Sequence, residues 1–177
     1  MATVPMCSPQ IIKLYDMFPR GMSLVLVLEY MCSGLWDMLH HTQQELTLPR
    51  VKTYAQMLLK GTRYMHAHYV MHRGESDIEQ LAIVLQHLGT PTEETWPGHS
   101  ELPDFHKITF PESSPTPWPE LLPGVEPDAL NLVKSFIMYD ADKRISAKEA
   151  LKHQWFYNRP APASLEDMPK PMMNKLK

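Results

Sequence analysis

Nine of the chain's 17 prolines fall between Pro91 and Pro127, and no other feature restricts the fold as strongly. A proline inside a helix or a central strand removes a main-chain donor and clashes with neighbouring backbone. Long regular elements are therefore confined to the residues before Pro91 and after Pro127. The segment between is no flexible linker by composition. Trp96, Phe105, Ile108, Phe110, Trp118 and Leu121 give it side chains to bury, so an ordered irregular connection is expected.

Before Pro91 the pattern changes from strand to helix. Ile11–Phe18 and Ser23–Tyr30 read as two short strands, with Pro19-Arg20-Gly21 as the turn between them. The second is apolar on both faces and is expected to be interior. Two strands alone are only marginally stable and need cover. Gly34–His41 is a short helix with Leu35, Met38 and Leu39 on one side. The strongest helix spans Pro49–His68, where Val51, Tyr54, Ala55, Leu58 and Met65 recur at helical spacing. Pro49 suits its first turn. Gly61 costs that helix about 1 kcal/mol, which a closely packed neighbour would explain. A further helix over Asp77–Leu88 carries the stripe Ile78, Leu81, Ala82, Leu85 and Leu88. Ser76 and Glu79 make its capping box, and Gly89 and Pro91 end it. After Pro127, helices are expected over Asp128–Met138 and Ser146–His153, the latter opened by a Ser146/Glu149 box, followed by the docking cluster Trp155-Phe156-Tyr157.

Composition excludes several function classes. Seventeen Lys and Arg against 20 Asp and Glu leave a net charge of −3, too little positive field to hold a nucleic-acid backbone, so no nucleic-acid partner is expected. Cys7 and Cys32 can supply neither a disulfide framework nor a four-ligand zinc site, and a reducing compartment fits them. No apolar run reaches the roughly 18 residues of a membrane span, and no secretory leader is evident, so a location in the cytoplasm and/or nucleus, with no membrane partner, is expected. His66, His68 and His72 do not make a metal site, because residues two apart on a helix do not share a face and no carboxylate or thiol completes the ligand set; no metal-binding residue is assigned. Trp96, Trp118 and Trp155-Phe156 could line a peptide groove, but burial as anchors is the plainer reading. Ser114-Pro115 and Thr116-Pro117 could be phosphorylated, though such dipeptides are common.

The apolar strand ending in Leu28-Glu29-Tyr30-Met31, a short helix, a long helix and then Val70-Met71-His72-Arg73 resemble the hinge and the start of the catalytic loop of a eukaryotic protein kinase. Further on, Asp77-Ile78-Glu79-Gln80-Leu81, Leu88-Gly89-Thr90-Pro91-Thr92-Glu93-Glu94-Thr95-Trp96-Pro97-Gly98 and Leu102-Pro103-Asp104-Phe105 resemble the cyclin-dependent kinase and MAP kinase group. Asp142-Lys143-Arg144-Ile145-Ser146-Ala147, followed by Ala150-Leu151-Lys152-His153-Gln154-Trp155-Phe156, continues the pattern. The nearest branch is that of the cell-cycle-related kinase within the cyclin-dependent kinases, and the likeness covers about Gln10 to Phe156. It implies Ser/Thr protein kinase activity with ATP and Mg2+, protein substrates or docking partners, and nucleotide binding at Leu28 (gatekeeper), Glu29 and Met31 (hinge main-chain groups). His72 and Arg73 would be the catalytic-loop remnant, the first structural and the second a reader of activation-loop phosphorylation.

The departures from that family are as informative. Its catalytic loop reads His-Arg-Asp, whereas His72-Arg73 is followed by Gly74. From Gly74 onward the sequence resembles a region far downstream. The catalytic aspartate, the magnesium-binding asparagine, the Asp-Phe-Gly site, the activation loop, the Ala-Pro-Glu segment and the central helix of the large lobe have no counterpart. No glycine-rich loop or Val-Ala-Ile-Lys strand precedes the hairpin, so the adenine pocket lacks its roof, which weighs against nucleotide binding by this chain. The missing cyclin-facing helix weighs against cyclin binding. Arg144 in the family pairs with the glutamate of Ala-Pro-Glu. Losing one partner of a buried ion pair costs about 3–5 kcal/mol, so Arg144 is expected either to face solvent or to take Asp140 or Asp142.

The resulting expectation is an α+β, protein-kinase-like chain: a mostly helical remnant of the large lobe plus a hinge-side β-hairpin. Residues 1–9 form a loose end, 10–31 the hairpin and hinge, 32–73 helices up to the truncated catalytic loop, 74–159 the C-terminal part of the large lobe, and 160–177 a mobile tail. By family the chain is a cyclin-dependent-kinase-like enzyme, itself expected to be inactive. The alternatives are a non-catalytic interaction or decoy protein from a splice variant, and a non-functional fragment. Chains of this length normally bury about 70% of their unfolded surface, and this one is expected to fall short.

Overall fold

The computed structural model describes residues 8–41, 45–72, 77–103, 105, 107 and 112–170. They fall into two units, one built from residues up to His68 together with those from Phe156 onward, the other from Tyr69 to Trp155. The architecture is α+β, with one two-stranded antiparallel sheet and helices for the rest of its regular structure.

In the first unit, β1 (Leu14–Arg20) pairs with β2 (Ser23–Leu28). The turn lies at Gly21-Met22, later than the sequence suggested, and Pro19 sits inside β1 opposite Leu24. Proline is tolerated there because the strand is an edge and needs no donor on its open side. Gly21 has φ +61°, which suits glycine at the first central position of a tight hairpin. The register slips between Leu14 and Asp16, a bulge that bends the base of the ladder. The expectation that β2 is interior fails. Leu24 is 59% and Leu28 43% exposed, and Leu14, Met17, Phe18 and Leu26 are exposed as well. A two-stranded ribbon has no second layer of its own, so its apolar faces stay in water.

Helix α1 (Leu35–His41) begins where the Asp37 carboxylate accepts the Gly34 N–H at 2.7 Å, and Trp36 stacks on His40 one turn on. Helix α2 (Leu48–Ala67) starts with Pro49 in its first turn. Its buried positions are Lys52, Thr53, Leu59 and Gly61, while Leu58 of the expected apolar stripe is exposed. The reason is polar. Residues 158–163 lay main-chain carbonyls across the start of α2. The Lys52 ammonium donates to Asn158 O at 2.9 Å and Pro160 O at 3.0 Å, and the Thr53 hydroxyl donates to Ala163 O at 2.8 Å. The Ala163 N–H donates back to Pro49 O. Residues 160–163, placed by sequence at the start of the tail, are thus hydrogen-bonded to α2. Gly61 is small for the reason expected: a Cβ there would lie 3.2 Å from Gln10 O.

In the second unit, α3 (Asp77–Leu88) ends at Gly89, whose φ is +76°. A Cβ on Gly89 would lie 2.7 Å from Pro115 N, so glycine is required by both conformation and space. The Ser76/Glu79 box lies outside the described residues, as do Ile108 and Phe110. The proline segment contains two short elements not anticipated, a 3-10 turn at His99–Glu101 and α4 (Trp118–Leu121). Helix α5 (Pro127–Phe136) buries Ala129 and Leu132. Helix α6 (Ala147–Ala150) has the expected Ser146/Glu149 capping box but stops three residues short of His153. Instead of extending α6, the chain turns to bond α5: His153 Nε2 meets Asn131 Oδ1 at 3.0 Å, and Gln154 Nε2 donates to Asp128 Oδ1. Trp155, buried, donates its indole N–H to Glu126.

Among the described residues few large apolar side chains are buried, so single polar clamps matter. Lys52→Met leaves the Asn158 and Pro160 carbonyls without their donor and is expected to cost about 2 kcal/mol. Hydrogen exchange at the Ala163 amide, read against the wild-type chain, should rise severalfold.

Candidate functional site

Strand β2 ends at Leu28 and delivers Glu29 to the base of the hairpin. The Glu29 N–H donates to Lys13 O at 2.9 Å, and the Lys13 N–H donates to Glu29 Oε1 at 2.8 Å. Residue 29 is therefore held by main chain and side chain at once, and the next residues leave the sheet. Tyr30 is exposed, and Met31 is 63% exposed. Leu28, Glu29 and Met31 are thus brought together by one short loop, but none is enclosed. A cavity of about 100 Å³ in the same unit is lined by Met38, Leu39, Glu45, Leu46, Tyr54 and Pro169, not by these three residues.

His72 is an exposed residue of the other unit, and Arg73 lies outside the described residues. The chain reaches this point through Tyr69, whose φ of +59° is the left-handed conformation usually given to glycine after a helix. His68 and His40 each place Nδ1 on the carbonyl four residues earlier and pack on an aromatic ring. That is helix packing. Among the described residues no three His, Cys, Asp or Glu side chains gather as a metal would require. Arg144 is exposed and donates to the Met138 carbonyl at 2.6 Å; Asp140 takes Lys143 at 3.0 Å. The solvent-facing reading of Arg144 holds, and its guanidinium is paired with neither Asp140 nor Asp142.

The second unit contains a polar cluster that sequence reasoning did not single out. Glu93 accepts from Gly98 N at 2.9 Å and Ser100 Oγ at 3.1 Å, and His99 Nδ1 lies 3.1 Å away. Trp96 stacks on Tyr139 with ring centroids 5.5 Å apart, and the Tyr139 hydroxyl donates to Gly89 O. The Gly98 hydrogen bond holds the Glu93 carboxyl below its usual value, and burial pushes the Tyr139 hydroxyl up. Lys143 lowers Asp140, and Ser146 lowers Glu149. Lys52 also escaped sequence reasoning, since a lysine in a helix normally marks a solvent face. These groups organise a fold; they do not converge on a reacting atom.

A protein kinase domain model matches residues 1–78. Cyclin-dependent kinase 20 of Danio rerio is 32% identical over 240 aligned positions, covering 91% of this chain and 70% of the relative. The human and mouse proteins of that name are each 30% identical, covering 91% and 93% of this chain and 69% and 70% of theirs. The chain belongs to the cyclin-dependent kinase family of protein kinases. The zebrafish alignment has more positions than this chain has residues, so part of that relative stands opposite gaps. In this family, ATP and Mg2+ serve the reaction. The segment Leu28–Met31 is exposed, and among the described residues no group of three His, Cys, Asp or Glu side chains gathers to hold a metal. Among the described residues, those at Leu28–Met31 do not by themselves enclose a Mg-nucleotide. Among the described residues no helix is long and apolar enough to cross a membrane.

The lowered carboxylates have a pH consequence. A carboxylate with a folded pKa below its unfolded value adds stability that is complete above the unfolded value and is lost as pH falls through the folded one. Glu93, Asp140 and Glu149 all have that sign, from ordinary values of 4.5, 3.8 and 4.5. The urea midpoint of the second unit, followed by Trp fluorescence, is expected to be flat above pH 5.5 and to fall below pH 4.5. Glu149→Gln should flatten part of that slope.

Proposed function

We propose that this chain is a catalytically silent member of the cyclin-dependent kinase family. The observation that carries the reading is the sequence His72-Arg73-Gly74, where the family places its catalytic aspartate after the arginine. Phosphoryl transfer in kinases is positioning and electrostatics shared among the base, the metal-holding residues and the phosphate loop. A general base must lie within hydrogen-bond reach of the substrate hydroxyl. Asp77 is no substitute, because it opens α3. Neither Asp-Phe-Gly nor Ala-Pro-Glu occurs anywhere in the sequence. The kinase-domain match ending at residue 78, and the stretch of the relatives that stands opposite gaps, support an internal loss near this joint.

A second reading, a non-catalytic binding or decoy protein, draws on the surface that remains. Helix α3 keeps Ala82, Ile83 and Gln86 exposed, and a docking role needs no aspartate after Arg73. Nucleotide and cyclin have no assigned role in either reading.

Purified chain incubated with radiolabelled ATP, Mg2+ and a generic Ser/Thr substrate is expected to transfer no phosphate above a blank lacking protein. Gly74→Asp is expected to stay at that blank, because restoring the base alone leaves the metal and phosphate unplaced. Transfer above blank by the wild-type chain would overturn the reading. Sequencing the transcript across the codons of Arg73 and Gly74 tests the joint itself: extra in-frame codons beginning with Asp in the major product would return the family's activity to a longer form.

A further inference from the structure

The sequence contains four Ser/Thr-Pro dipeptides, at Ser8-Pro9, Thr90-Pro91, Ser114-Pro115 and Thr116-Pro117, and the structure separates them. The Ser8 hydroxyl donates to Gln10 Oε1 within a turn. Thr90 Oγ1 accepts the Ser113 N–H at 2.9 Å, and its own N–H donates to Ser113 O. Thr116 is half-buried; its hydroxyl donates to Gln86 O at 3.2 Å and its N–H to His87 O. Ser114 is the exception. It is exposed, sits in an irregular stretch between these anchored residues, and among the described residues its hydroxyl and main chain make no hydrogen bond.

We propose that Ser114 is a phosphoacceptor for a proline-directed Ser/Thr kinase acting in trans, and that it is preferred over the other three dipeptides, whose hydroxyls are engaged in hydrogen bonds in the folded chain even where, as at Thr90, the residue is exposed. Such a kinase requires an accessible hydroxyl followed by proline on a chain that can lie extended in its cleft. The Ser114 hydroxyl is free to react without giving up a hydrogen bond of its own, and seating its neighbours in the cleft requires the Ser113 and Thr116 bonds to α3 to open. In the reaction the Ser114 Oγ–P bond forms, the bond between the γ-phosphorus of ATP and the bridging oxygen breaks, ADP leaves with the electron pair, and the hydroxyl proton passes to the acting kinase's base.

The modification has a structural consequence. Residues 113–116 strap the C-terminal end of α3: the Ser113 hydroxyl bonds Leu85 O, and Thr116 bonds Gln86 O and His87 O. A phosphate brings about −1.5 to −2 charges to the carbonyl end of that helix, where negative charge is disfavoured. Phosphorylation therefore loosens the strap. None of this depends on the proposed lack of kinase activity.

The test uses the full chain, a purified proline-directed kinase, ATP and Mg2+, with site mapping by mass spectrometry on native and urea-unfolded, rapidly diluted samples. The native chain is expected to carry one phosphate, at Ser114, with Ser114→Ala reducing incorporation at least tenfold and Thr116→Ala leaving it unchanged. The unfolded sample should be labelled at Thr116 as well. Hydrogen exchange at the Thr90 and Thr116 amides should quicken severalfold in the phosphorylated native chain. No label on the native chain, or label at Ser8, Thr90 or Thr116 equal to or above that at Ser114, would overturn the assignment, and unchanged exchange would overturn the loosening.

Discussion

Burying the Lys52 ammonium costs free energy unless main-chain oxygens replace its water, and the segment from Asn158 to Ala163 supplies them. This exchange ties residues far apart in sequence into one unit, and the start of α2 could not be covered without it. The same dependence on polar devices recurs in the second unit, where Tyr139 caps the Gly89 carbonyl, the 113–116 strap closes the end of α3, and Ser146 and Glu149 open α6. The reason is the small core. Among the described residues the buried hydrophobic side chains include Ala129, Ala147 and Ala150, which contribute little area, and Leu59, Leu132, Tyr139, Trp155 and Phe156 as the large ones. At about 25 cal/mol per Å², such a core leaves hydrogen-bonded clamps a large share of what decides the fold.

Elements set by local chemistry were legible in the sequence, and those set by absent neighbours were not. Gly89 followed by Pro91 ended α3, Pro49 opened α2, and Ser146 with Glu149 capped α6, because each acts within a few residues. The hairpin pairing was also readable, but its burial was not: an apolar strand predicts an interior only if something covers it, and β1 and β2 are covered by nothing of their own. The end of α6 was overextended for a complementary reason. Asn131 and Asp128 on α5 compete for His153 and Gln154, and no periodicity in residues 146–153 reveals that competition.

The candidate site shows a similar division. Leu28, Glu29 and Met31 were singled out because a motif is a local string, and in the structure they follow one another at the end of β2 and the foot of the hairpin. Their exposure could not be read from the string, since burial depends on walls contributed from elsewhere. Arg144 was readable in the negative: its family partner has no counterpart, and a cation without an acid settles on a carbonyl near solvent, here that of Met138.

Catalysis and binding respond differently to the loss of an internal segment. Phosphoryl transfer multiplies the contributions of several groups, so removing the base together with the residues that hold metal leaves no graded residue of rate for the remaining side chains to rescue. Binding adds over a surface, and a surface survives wherever its supporting helix still folds. Helix α3 keeps its cap at Gly89, its strap at Ser113 and Thr116, and an outward row at Ala82, Ile83 and Gln86. On the proposed reading, selection acting on such a chain could preserve what α3 touches without the catalytic aspartate. The strap that steadies α3 also carries Ser114, so a charge placed there would act on the element best able to retain a partner.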